Sequence, residues 1–122
     1  MAIDSHHDLQ VWQKAIDLVV ECYRRTRGFP ENERYGLTSQ LQRAAVSIPA
    51  NIAEGHGRGS TKSFINFLWI ANGSLKELDT HLTLALRLQY VKESQLQPAL
   101  RLVDEVGRMI VGLRRSLECR QS

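Results

Sequence analysis

The chain of 122 residues is poor in the residues that hold small or irregular folds together. It has two cysteines, Cys22 and Cys119, far apart in sequence and in no Cys-x-x-Cys spacing. That excludes a disulfide framework or a zinc ribbon and points to free thiols in a reducing compartment. With 3 prolines and 8 glycines, it is neither a collagen-like chain nor a disordered linker. No apolar run approaches the roughly 20 residues that a membrane helix needs. The opening Met1-Ala2-Ile3-Asp4-Ser5-His6-His7 has neither a basic region nor an apolar core, so no secretory leader is expected. These absences lead to the expectation of a soluble cytoplasmic protein without membrane association. Alternating, strand-like patterns are also missing.

Apolar residues make up 43% of the chain and charged residues 24%, ordinary values for a globular protein. A single domain spanning 1–122 is expected at this length, large enough to bury a core without metal or disulfide. The net charge is +3, and 12 of the 16 basic residues are arginine. Arginine suits bidentate contacts to phosphate or carboxylate, but a bias this mild is not diagnostic of nucleic acid.

Four segments carry a helical period. The first spans about residues 8–27, with Leu9, Trp12, Ile16, Val19 and Tyr23 on its apolar stripe and Asp8 as a plausible cap. Ala15 and Cys22 widen that stripe, and Lys14, Asp17, Glu21 and Arg24 fall mostly outside it. The second spans about 35–54 on Leu37, Leu41, Ala44, Ala45, Ile48 and Ile52, with Pro49 expected to kink it and the glycines 55, 57 and 59 to end it. The third spans about 61–88, with a weak point at Asn72-Gly73, and repeats Phe64, Leu68, Ala71, Leu75, Leu78, Leu82 and Ala85. The fourth, about 95–117, follows Ser94 as a cap and is apolar on two faces, one running through Ala99, Val106 and Leu113 and the other through Leu96, Val103 and Ile110. Short connections between amphipathic helices give an all-α, antiparallel up-and-down four-helix bundle. A helix apolar on two faces, together with Trp69 lying off the third helix's stripe, predicts self-association with Trp69 at the subunit interface. Trp12 is expected in the core.

Helix two also carries a polar stripe, Gln40, Arg43, Ser47, Asn51 and Glu54, matched on helix three by Ser74, Glu77 and His81. Facing positions of an antiparallel hairpin have a near-constant sum. That sets Arg43 at the level of Ser74 and Glu77, and predicts a partly buried Arg43–Glu77 ion pair within a network that includes Ser47, Asn51, Glu54 and Ser74.

Catalytic patterns are sparse. No Glu-x-x-His or His-Glu-x-x-His occurs, so no metal site is expected, and no serine or cysteine sits in a nucleophile context. No catalytic residue and no cofactor are assigned, and the expectation is of a protein that is not an enzyme. Gly55-His56-Gly57-Arg58-Gly59-Ser60 fits neither phosphate-loop spacing. It reads foremost as an interhelix turn. Arg58 and Lys62 nonetheless flank a helix N-terminus, where free N–H groups attract anions. Other candidate contacts to nucleic acid are Arg24, Arg25 and Arg27 at the end of helix one, and Arg108, Arg114 and Arg115 on helix four, where Arg101 and Arg120 also lie.

Three stretches together resemble one family: Asp8-Leu9-Gln10-Val11-Trp12-Gln13-Lys14-Ala15; Tyr35-Gly36-Leu37-Thr38-Ser39-Gln40-Leu41 with Arg43 to Gly55 around Pro49; and Phe64 to Leu68, Ala71, Gly73-Ser74-Leu75 and Glu77-Leu78. They look like the small four-helix bundle proteins encoded in intervening sequences of bacterial large-subunit ribosomal RNA genes, which the accessory variability proteins of diversity-generating retroelements also resemble. The resemblance implies a ring-like homo-oligomer, a pentamer. For the retroelement relatives it implies a basic surface that binds nucleic acid and a reverse transcriptase partner. It brings no catalytic residue. The expected function is that of a non-enzymatic, oligomeric accessory protein binding RNA or a ribonucleoprotein partner; the alternative is an interaction scaffold with no nucleic-acid role.

Overall fold

A computed structural model describes residues 5–121; the first four residues of the expected leaderless start, and residue 122, lie outside it. The described residues form four long α-helices and no strand: α1 Gln10–Thr26, α2 Leu37–Gly57, α3 Thr61–Arg87 and α4 Glu93–Gln121. They run up and down, α2 against both α1 and α3, and α4 closing the bundle against α1 and α3. One core fills the centre, with Leu18, Leu41, Ile48, Ile52, Leu68, Leu75, Leu78, Leu82, Leu96 and Ile110 its largest enclosed side chains. None of the helices is long and apolar enough to cross a membrane.

The helix ends follow local chemistry, with three corrections to the expected boundaries. Asp8 does not cap α1. It closes a 3-10 turn, His6–Asp8, and the α1 cap position falls to Leu9, which offers no side-chain acceptor. The second helix does not end at residue 54 but continues to Gly57, and the chain turns at Gly59, whose φ of +81° is the backbone state glycine adopts freely. Gly55 is therefore no breaker. It is buried at the α2–α3 contact, where an added Cβ would stand 2.6 Å from the Phe67 Cβ. The fourth helix starts at Glu93, before Ser94, because the Lys92 carbonyl already accepts from the amides of Gln95 and Leu96. α2 and α3 also run without interruption through Pro49 and through Asn72-Gly73.

The buried line of α1 is rotated from the expected stripe. Val11, Ala15, Leu18 and Cys22 are buried, Trp12, Ile16 and Val19 are half-buried, and Tyr23 is exposed. Val11, Ala15, Leu18 and Cys22 make the inner line, and the aromatic rings of Trp12 and Tyr23 sit outside it. Trp12 is accordingly not enclosed, and the rings of His6 and His7 lie against it at 5.0 and 4.7 Å. Glu21, expected outside the stripe, is buried.

The end of the bundle holding the α1–α2 and α3–α4 connections is tied by Tyr90. Its hydroxyl donates to Glu33 Oε2 at 2.8 Å, and its ring packs against Phe29. Glu33 Oε1 accepts the Leu37 amide at 3.2 Å and so caps α2. α3 ends in a Schellman turn, with Tyr90 N–H on the Ala85 carbonyl and Gln89 N–H on that of Leu86. Gln89 takes the left-handed position, φ +64°.

Candidate nucleic-acid interface

Most candidate arginines face a carboxylate three or four residues away on their own helix, where neighbours on one face meet. Arg24 and Arg25 clamp the buried Glu21 carboxylate at 2.7 and 3.1 Å. Arg58 binds Glu54 at 3.1 Å and lies over the Phe67 ring, and Ser60 Oγ accepts the Ser63 amide at the start of α3. The Arg58–Glu54 pair is exposed on both sides, 54% and 53%, and Lys62 makes no ion pair with either of them. Arg108 pairs with Asp104 at 2.7 Å, and Arg114 with Glu118 at 3.5 Å. Among the described residues, Arg27, Lys62 and Arg115 make no ion pair.

The expected Arg43–Glu77 pair is absent. Arg43 is exposed and lines a surface cavity with Tyr23, Gln42 and Val46. The Glu77 side chain is 61% exposed and approaches His81 Nε2 at 3.8 Å. The polar contact between α2 and α3 forms one turn away instead. Ser47 Oγ and Ser74 Oγ share a hydrogen bond of 2.8 Å, and Asn51 Nδ2 donates to Ser47 Oγ at 2.9 Å. Glu54 stays outside this network, on Arg58. Ser74 thus stands opposite Ser47 rather than Arg43, and residue sums do not fix the direction in which a side chain points around its helix.

The seam between α3 and α4 gathers cations that the sequence scattered. A cavity of about 490 Å³ is lined by Asn72 and Lys76 of α3 and by Asp104, Gly107, Arg108, Val111, Gly112 and Arg115 of α4. Two glycines line it. A Cβ on Gly107 would press on Leu75 at 3.2 Å, and one on Gly112 would meet nothing within 4 Å. Beyond its end, Arg114 lies 3.7 Å from the centroid of the Trp69 ring. Trp69 remains 51% exposed. Lys76, Gly107 and Gly112 were not singled out from the sequence. The signal was there: Lys76 follows Trp69 by the same seven residues that separate Arg108 from Arg115, and the two pairs run antiparallel along facing helices.

No three His, Cys, Asp or Glu side chains gather as metal ligands among the described residues. Burial pushes the Cys22 thiol up to about 12, helped by the neighbouring Glu21 charge, so it is a packing group rather than a nucleophile at neutral pH.

The helices and their polar seams define a class: antiparallel four-helix bundles whose outer grooves carry the charge. The family model described as "23S rRNA-intervening sequence protein" matches residues 7–112, and the chain belongs to that family. It is similar to a crystal structure from Bacteroides thetaiotaomicron, described as a protein with unknown function from the S23 ribosomal protein family. The two share 25% sequence identity and a TM-score of 0.76, over 85% of this chain and 97% of that one. No curated protein matches the chain.

Proposed function

We propose that this chain is a non-enzymatic, cytoplasmic accessory protein that self-associates and binds RNA through basic surfaces repeated around the assembly. The observation that carries the RNA role is the α3–α4 seam, where Lys76, Arg108 and Arg115 line one open groove. Phosphate contacts of this kind gain from repetition, because the fields of modest patches add across an oligomer. A ring-like homopentamer is the form the family resemblance implies. Exposed Val20, Tyr23, Val46, Ile70, Leu84 and Leu88 support self-association. The same apolar residues favour the second reading, a protein-interaction scaffold whose partner could be a protein such as a reverse transcriptase.

Light scattering combined with filter binding to structured RNA across a salt series separates these readings. An assembly larger than 13.9 kDa whose RNA retention falls steeply with salt is the expected result. A stable assembly with no retention at low salt leaves the scaffold, and a monomer at micromolar concentration overturns both.

A further inference from the structure

We infer that the α3–α4 groove takes single-stranded RNA, its backbone lying between Lys76 and the arginines of α4 and a base stacking on Trp69; this rests on the RNA-binding role proposed above. Neighbouring helices in a bundle lie about 8–10 Å apart. The depression between them admits an extended backbone and is too narrow to seat a duplex. Gly112 has open space where a Cβ would stand, so a ligand can approach the helix backbone there, while Gly107 lets α4 lie close on Leu75.

The charges follow the groove. Arg108 and Arg115 are separated by two helical turns, about 10 Å along α4, with Lys76 on the opposite wall. Lys76 and Arg115 have no acidic partner among the described residues. Arg108 has one, Asp104, but their side chains are 80% and 62% exposed. An exposed pair of this kind is weak and yields readily to a phosphate.

Trp69 supplies what a purely electrostatic surface lacks. It stands one turn before Asn72 on α3, at the end of the groove. One face of its ring is covered by Arg114, whose side chain is only 15% exposed and is also held by Glu118. The exposed half of Trp69 therefore lies on the opposite face and the rim. A cationic groove with a half-exposed aromatic ring beyond its end is the arrangement that binds single strands without sequence preference.

The test uses the full chain and a mixed-sequence RNA of about 12 nucleotides, presented single-stranded or annealed to its complement. Binding is followed by tryptophan fluorescence and anisotropy at several salt concentrations. The single strand should bind about tenfold more tightly than the duplex and quench the fluorescence. Trp69→Ala should lose about tenfold in single-strand affinity together with most of the quench, while Trp69→Phe, which keeps a stacking face, retains most of the affinity. Lys76→Ala with Arg115→Ala should reduce the salt slope by about 1.4. Circular dichroism verifies that each variant keeps its helices. Equal or tighter duplex binding, or unchanged affinity in Trp69→Ala, overturns the single-strand inference and leaves the RNA role standing. No binding of either form at low salt overturns both.

Discussion

Gly55 of α2 and Phe67 of α3 meet with no room for a methyl group between them: a Cβ on Gly55 would stand 2.6 Å from the Phe67 Cβ and 3.4 Å from the Phe64 α-carbon. Neither of those atoms belongs to the far end of a flexible side chain, so relief requires the helices to part. Gly55→Ala should therefore destabilise the bundle by about 1–3 kcal/mol, despite the better helix propensity of alanine. Gly57→Ala is the control. Nothing lies within 4 Å of its Cβ position, and it should be neutral or stabilising by up to about 1 kcal/mol. Urea unfolding of the two variants checks the pair, and equal midpoints would show that α2 and α3 do not touch there.

Gln89 occupies the left-handed position of the turn that ends α3, φ +64°. A side chain there costs energy that glycine avoids, and no hydrogen bond of the Gln89 side chain offsets it among the described residues. Gln89→Gly should stabilise the protein by about 0.5–1 kcal/mol, read as a rise in the urea midpoint. A fall would mean that the Schellman turn is not formed in solution.

Tyr90 and Glu33 link stability to pH. The hydrogen bond from Tyr90, and then the Leu37 amide, hold the Glu33 carboxyl below its ordinary value of 4.5. The hydrogen bond to Glu33 raises Tyr90 above its ordinary 10.0. A depressed acid stabilises the fold fully above 4.5, and that contribution fades as pH falls through the folded value. The tyrosine's contribution is full below 10.0 and fades as pH rises through its own raised value. Tyr90→Phe should thus be less stable than the parent across neutral pH, with the gap narrowing in acid. Unfolding midpoints measured from pH 3 to 8 give the comparison, and a gap independent of pH would remove the linkage.

The four helices were legible because apolar spacing shows which segments bury one face, although in α1 the buried line is rotated from the expected stripe. What the sequence obscured were contacts between elements. Gly55 reads as a breaker until Phe67 is placed beside it. Glu21 reads as a solvent residue until the rotation of α1 buries it and Arg24 and Arg25 close over it. The intrahelical pairs Glu54–Arg58, Asp104–Arg108 and Arg114–Glu118 could have been read from spacing alone, and they show why a count of arginines overstated the free positive surface. The α3–α4 groove depends on side chains that glycine lacks, a feature that hydrophobic periodicity does not register.

The α2–α3 hairpin carries the broadest contact in the molecule, and its helices are separated by a connection of only three residues, 58–60. Closing so short a loop costs little chain entropy, and the contacts it gains are near in sequence. That hairpin is where assembly of the native structure can begin, with α1 and α4 condensing onto a ready template. Because Gly55 stands beside the turn of this hairpin, changes there should register in the rate of folding, whereas changes at the Tyr90 end should show mainly in the rate of unfolding.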